Sequence, residues 1–136
     1  MPTIVHFEIP ADDIERTKRF YSDLFGWKIE RWQGQNGDSQ LTSAADQPMD
    51  YWIVTTTDSK GNNGLSGGIM KRQMPEHHVT NYIGVNSVEE YSSKVVECGG
   101  KLVASKKAVP GMGYFALCQD TEDNAFAIWE VDGNAK

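Results

Sequence analysis

The residues with the clearest capacity for chemistry are His6 and Glu8, which lie two positions apart near the start of the chain. Residues 5–9 alternate between apolar and polar types, so a β-strand would place both polar side chains on one face. An imidazole and a carboxylate on one face could act as general base and orienting group, or could hydrogen-bond a bound ligand. Alternatively, they line a wet cavity as a polar pair. His6 and Glu8 are therefore candidate catalytic and ligand-binding residues.

A second group of candidates combines aromatic, methionine and hydroxyl side chains. In the segment 125–131, alternation places Phe126 and Ile128 on one face and Trp129 on the other. The predicted ligand-binding residues that accompany Trp129 are Thr80, Tyr82, Met112 and Tyr114. Such side chains around a few polar groups suit an apolar or planar small molecule. The alternative is that they fill a core or a dimer interface.

Other residue types give no comparable signal. The nucleophile motif G-x-S-x-G does not occur, and Cys98 lies on a predicted helix stripe that faces the core. Cys98 and Cys118 are far apart in the chain, so we expect two reduced core thiols. His77 and His78 are adjacent in a predicted linker, where we expect solvated surface residues.

The residues after Glu8 predict a helix and then a second strand. Asp12 is the expected N-cap, with Glu15 three residues later in a capping-box pattern, and Gly26 is the expected end. The apolar stripe of this helix consists of Ile14, Thr17, Tyr21 and Leu24. Further strands are predicted at 27–32, 51–57 and 65–71, and residues 33–50 are predicted to be a long polar loop, a candidate lid.

The second half of the chain repeats this pattern. Ser87 and Glu90 form an S-x-x-E capping box, and the following helix is expected to end at Gly99. Its stripe consists of Val88, Tyr91, Val95 and Cys98. The strands predicted around it are 79–85, 101–107, 114–119 and 125–131.

The two halves match at a single offset of 74 residues. This offset carries His6 to Thr80, and it aligns strand phase, helix stripe and terminal glycine together. We therefore predict an internal duplication within a single domain, 1–136, with module one at about 1–73 and module two at about 79–132. The predicted fold class is α+β, with two tandem βαβββ modules.

Composition limits the partners of the chain. Its 136 residues carry a net charge of −6, which disfavours nucleic acid and anionic membrane surfaces as partners. No run is long and apolar enough to span a bilayer. A strand is predicted almost at the first residue, which leaves no room for a secretory signal, so we expect a cytoplasmic protein.

Several segments resemble one known protein family. The opening HFEIPADDIERTKRFYSDLFGWK, the strand GGIMKR and the ending PGMGYFALCQDTEDNAFAIWE resemble the vicinal oxygen chelate superfamily. That superfamily includes glyoxalase I, extradiol dioxygenases, fosfomycin-resistance enzymes and bleomycin-resistance proteins. The resemblance covers nearly the whole chain. It implies sheets that curl around a central cleft with helices outside, and often a homodimer whose cleft is shared between chains.

The resemblance also implies where a metal would bind. In metal-using members, the first and last strands of each module supply the ligands, and these positions fall on His6, Gly68, Thr80 and Ala127. Only His6 is a usual ligand, whereas catalytic zinc needs about three protein ligands. We therefore expect a degenerate metal site and no cofactor, with a divalent metal as the less favoured alternative.

These observations support three functional hypotheses. The first is a glyoxalase-like protein that binds a small organic molecule in the cleft without a complete metal site. The second is a metal-dependent glyoxalase-like lyase or isomerase, or an oxygenase-type enzyme. The third is a non-catalytic dimerisation module. Because βαβββ sheets leave edges uncovered, we also expect a homodimer that buries apolar surface from both modules.

Overall fold

The structure, a computed structural model, describes residues 2–32, 41–42 and 48–136. The elements are β1 (Thr3–Ala11), α1 (Ile14–Phe25), β2 (Lys28–Arg31), β3 (Leu41–Thr42), β4 (Pro48–Met49), β5 (Tyr51–Thr55), β6 (Gly67–Lys71), β7 (Thr80–Gly84), α2 (Val88–Glu97), β8 (Lys101–Val109), β9 (Gly113–Gln119) and β10 (Ala125–Val131). Within these ranges, neither helix is long and apolar enough to cross a membrane.

The chain forms two compact units: the described residues of the first are 6–32, 41–42 and 48–79, and those of the second are 2–5 and 80–136. In the first, the strand order is β1-β6-β5-β2, and only the β1–β6 pair is parallel. In the second, the order is β7-β10-β9-β8, and only the β7–β10 pair is parallel. Both units therefore share one strand order, which confirms the α+β class with two βαβββ modules.

Strand register makes the repeat specific to individual residues. Glu8 of β1 pairs with Gly68 of β6, and Tyr82 of β7 pairs with Ala127 of β10. The first strands are thus related by the predicted offset of 74 residues, whereas the last strands are related by 59. The difference reflects shorter loops in the second module. Gly68 is consequently the structural equivalent of Ala127, as the resemblance implied.

Each module has an apolar core between its helix and its sheet. In the first module the buried residues are Ala11, Val54 and Ile69, with Phe7, Ile9, Ile14, Trp27, Ile29 and Trp52 packed against them. In the second they are Val88, Ala116, Cys118 and Ile128, with Val85, Tyr91, Val95, Tyr114 and Phe126 around them. The predicted alternation is confirmed, because Phe7 and Ile9, and likewise Phe126 and Ile128, face the helix. The opposite face of each sheet carries the other side chains.

Of the two predicted helix N-caps, one is confirmed and the other is wrong by one residue. Ser87 accepts the backbone N–H three residues later at 3.1 Å, as predicted. In α1 the N-cap is Asp13 and not Asp12, since Asp13 has extended dihedrals and accepts the N–H three residues later at 3.0 Å. Asp12 instead accepts a hydrogen bond from Arg72 Nε at 3.0 Å. The predicted end at Gly26 is confirmed by its left-handed φ of 71°.

The prediction of two core thiols is wrong for Cys98. The helix α2 ends at Glu97, and Cys98 is its exposed C-cap. Gly99 then turns the chain away with a φ of 95°. Cys118 is buried as predicted, and burial raises the pKa of its thiol to about 11.

The predicted polar loop 33–50 contains a short antiparallel ladder that the sequence did not indicate. Its strands are β3 and β4, in which Leu41 pairs with Met49. The remainder of the loop, 33–40 and 43–47, lies outside the described residues, so the role of this segment as a lid stays a prediction.

In each module, a turn of the same type precedes the last strand. Asp58 and Asp120 each accept the backbone N–H groups two and four residues later at 2.8–2.9 Å, and these hydrogen bonds lower the pKa of both carboxyls. The fourth residue of each turn has positive φ, 84° at Gly61 and 65° at Asp123. The second module therefore places a residue with a Cβ where the first uses glycine.

Replacing Asp123 with Gly is expected to stabilise the protein by about 1 kcal/mol, because glycine adopts left-handed φ without steric cost. The exposed ion pair between Asp123 and Lys101 would be lost, but such pairs contribute little. Urea denaturation would measure the change. Glu122→Gly is the matched control, since Glu122 has ordinary negative φ, and it should not stabilise. Equal effects of the two substitutions would contradict the explanation.

Candidate functional site

The two glycines of β6 each lie beneath an aromatic ring. A Cβ at Gly67 would overlap the ring of Phe7 on the helix side of the sheet. A Cβ at Gly68 would overlap Oη, Cζ and Cε1 of Tyr51 on the opposite side. The glycines that weaken this strand's intrinsic preference are thus required by side chains that cross it on both faces.

Tyr51 reaches across β6 to the first strand. It begins β5, which lies two strands from β1, a separation of about 10 Å. Because Gly68 has no side chain, the tyrosine ring can lie over it and bring its hydroxyl to His6 and Glu8. The sheet therefore assembles these three side chains from β1 and β5 over a gap in β6.

The three side chains form a hydrogen-bonded network centred on the tyrosine hydroxyl. Tyr51 Oη donates to Glu8 Oε2 at 2.8 Å, and His6 Nε2 lies 2.7 Å from the same oxygen. A phenol has a single proton, so the hydroxyl must accept from His6, whose Nε2 then carries hydrogen. The rings of His6 and Tyr51 are close to parallel, with centroids 6.3 Å apart.

Burial explains the protonation state of His6 in this network. Glu8 is 8% exposed and Tyr51 is 7% exposed. Desolvation lowers the pKa of His6 from its ordinary value of 6.5 to about 4, so the imidazole is neutral at physiological pH. The arrangement therefore places a neutral imidazole beside the buried side chains of Glu8 and Tyr51. The shared face of His6 and Glu8 is as predicted, whereas Tyr51 was missed.

The donor set of this site does not fit a catalytic metal ion. Gly68, at the position where the resemblance places a ligand, has no side chain, and the tyrosine ring fills the space above it. His6 and Glu8 both contact the Tyr51 hydroxyl. Across the described parts of the chain, no group of three His, Cys, Asp or Glu residues could hold a metal ion, although a catalytic zinc needs about three protein ligands.

The second module carries a more apolar set on the corresponding face. Thr80 is buried, and the ring of Tyr82 lies 6.4 Å from that of Phe115, a residue that no sequence pattern had indicated. A Cβ at Gly113 would meet the backbone oxygen of Glu130 at 2.1 Å and the ring of Trp129 at 2.8 Å, so this glycine lies close both to a carbonyl and to an aromatic side chain. Ala127, at the remaining metal-ligand position, is fully buried and offers no donor.

Two predicted ligand-binding residues lie elsewhere in the second module. Tyr114 packs with the helix-side core, and Lys106 Nζ lies 4.3 Å from its ring centroid. It therefore does not share a face with Tyr82 and Trp129. Met112 lies in the turn before β9, where its N–H donates to Val109 O at 3.0 Å.

Known proteins with similar sequences and folds point to one superfamily. The family model described as bleomycin resistance protein-like N-terminal matches residues 3–37. A glyoxylase-like domain-containing protein of Didymella fabae is 28% identical over 124 residues, 89% of this chain and 88% of that protein. The anthracycline biosynthesis protein DauV of Streptomyces sp. (strain C5) is 23% identical over 90% of this chain. The chain spans only 45% of that relative's length.

A solved structure extends the likeness to the fold. A glyoxalase/bleomycin resistance protein/dioxygenase superfamily member from Vibrio splendidus 12B01 has a TM-score of 0.58 at 14% identity, covering 97% of this chain and 100% of that chain. This likeness is one of fold, which in this chain consists of two tandem βαβββ modules. The resemblance to the glyoxalase/bleomycin resistance/dioxygenase superfamily is confirmed by the family model, the relatives and the fold together.

Proposed function

We propose that this protein binds a small organic molecule without a resident metal ion. The observation that carries this proposal is that the Tyr51 hydroxyl hydrogen-bonds both His6 and Glu8. These two side chains are the best candidates for metal ligands in the first module. The other three positions at which the superfamily places metal ligands hold Gly68, Thr80 and Ala127. Two of these have no side-chain donor, and a neutral hydroxyl is a poor ligand for a divalent transition metal.

The aromatic side chains of the second module suggest the kind of molecule. Tyr82, Phe115 and Trp129 lie on the same face of the sheet as the buried Thr80. Planar apolar ligands suit such surroundings. One relative is named for the biosynthesis of anthracyclines, so anthracyclines belong among the compounds to be tried.

The test combines native mass spectrometry, metal analysis and thermal shift on protein purified without chelator. We expect a co-purifying organic molecule or a thermal shift with an added planar compound, a metal content well below one per chain, and no change in melting temperature on adding EDTA. His6→Ala should weaken ligand binding without unfolding the protein, and His78→Ala, an exposed histidine, is the matched control. A stoichiometric metal on His6, or a large EDTA-induced drop in melting temperature, would instead favour a metal-dependent lyase or oxygenase-type enzyme.

We also propose a homodimer. Both modules expose large apolar side chains that are more than half accessible, among them Phe20, Leu24, Val96 and Val103. Burying such surface between two chains is favourable, and cyclic dimers are the commonest assemblies. Sedimentation velocity at micromolar concentration should show a dimer. A strictly monomeric species would contradict this proposal, while the expected cytoplasmic location stays a separate prediction.

A further inference from the structure

We propose that the Tyr51 hydroxyl takes the place of a metal ion, and that Tyr51 and Gly68 together keep a latent divalent-metal site closed. Oη lies 2.7 Å from His6 Nε2 and 2.8 Å from Glu8 Oε2, so one oxygen atom is bound by both potential ligands. A cation at this point would need the two ligand atoms at about 2.0–2.2 Å, which is a small inward movement. The phenol therefore occupies the position that a cation would require.

The tyrosine can hold this position only because residue 68 is glycine. Any Cβ there would overlap the end of the Tyr51 ring. Conversely, a carboxylate at residue 68 would project from the sheet beside Glu8, because Gly68 pairs with Glu8 and lies on the same face. The ring and a third ligand are thus mutually exclusive, and the chain carries the ring.

This inference predicts that removing the ring opens the site. Tyr51→Ala removes the ring over Gly68 and the hydroxyl that contacts His6 and Glu8. Adding Gly68→Glu would bring the protein ligands to three, the number typical of catalytic zinc sites. The inference deepens the proposed absence of a resident metal, but its readout is metal affinity in variants, which is independent of whether the wild-type protein binds an organic molecule.

The first experiment measures Co²⁺ affinity by calorimetry and by visible absorption. We expect Tyr51→Ala to bind Co²⁺ about 10-fold more tightly than the wild type, and Tyr51→Ala/Gly68→Glu about 100-fold more tightly. Tyr51→Phe is the matched control: it keeps the ring over Gly68 and should gain little. Adding His6→Ala to either binding variant should abolish the gain. If Tyr51→Ala binds no more tightly than the wild type, or if its gain survives His6→Ala, the proposal is wrong.

The second experiment tests the steric pairing without metal, so a poorly folding double variant would not prevent a decision. Gly68→Ala alone should lower the melting temperature by about 10 °C, because its Cβ overlaps the ring. In the Tyr51→Ala background, the same substitution should leave the melting temperature almost unchanged. Equal losses in the two backgrounds would show that Tyr51 does not require glycine at residue 68, and would overturn the proposal.

Discussion

Lowering the pH from 7 to 4 is expected to cost the protein about 3 kcal/mol of stability through His6 alone. Burial lowers the pKa of this imidazole in the folded state to about 4, against an ordinary value of 6.5. Between these pH values, the unfolded chain takes up a proton that the folded protein does not. The stabilisation is therefore fully present above pH 6.5 and is lost as the pH falls towards 4.

Urea denaturation at several pH values would measure this loss, with His6→Gln as the diagnostic variant. Glutamine retains an N–H donor for Tyr51 but does not titrate, so the variant should lose less stability than the wild type across this range. The difference should approach the full 3 kcal/mol that we expect from His6. His78→Gln, at an exposed position, is the control and should follow the wild type. A His6→Gln profile as steep as that of the wild type would contradict the proposed burial of a neutral imidazole.

Truncating the equivalent isoleucines of the two modules is expected to cost about 3–4 kcal/mol each. Ile69 is 0% exposed and Ile128 is 2% exposed, and each lies in the last strand of its module under the helix. Alanine at either position would leave a cavity that close-packed neighbours fill only partly.

The free energy of unfolding from urea titration would report these effects. Ile69→Val should cost only about 1 kcal/mol, because a single methylene is removed. Val131→Ala, at a residue that is 79% exposed, should change stability by less than about 0.5 kcal/mol. Losses below 1 kcal/mol at Ile69 or Ile128 would mean that the two cores do not depend on these side chains.

The fold was largely predictable because its signals are local and are repeated. Alternation in β1 and β10 predicted which side chains share a face, and the structure places Phe7, Ile9 and Ile128 on the helix side. The errors occurred where two local signals competed. Asp12 satisfied a capping-box pattern with Glu15, but the neighbouring Asp13 makes the capping hydrogen bond. Helix boundaries commonly shift by a residue in this way.

The candidate site was only half predictable. His6 and Glu8 follow from one strand's alternation, whereas Tyr51 lies 43 positions from Glu8 and on a different strand. Its role depends on the register of β5 against β6 and of β6 against β1, which no local pattern specifies. Gly68 was named from the sequence only as a metal-ligand position without a side-chain donor, because the role of a glycine depends on the neighbour that occupies the space above it. A tyrosine at the start of one strand, together with a glycine in the adjacent strand, is the sequence signal from which this contact could have been predicted.

The tyrosine over Gly68 also constrains the order in which this chain can change. A side chain gained at residue 68 while the ring is present meets a clash, whereas loss of the ring first leaves only an unfilled volume. Mutational paths between the two states are therefore directional, and the effect of a substitution at residue 68 is conditional on the residue at position 51. A library that varies residue 68 alone would therefore recover glycine almost exclusively. A library that varies residues 51 and 68 together would also recover larger residues at position 68, each paired with a smaller residue at position 51.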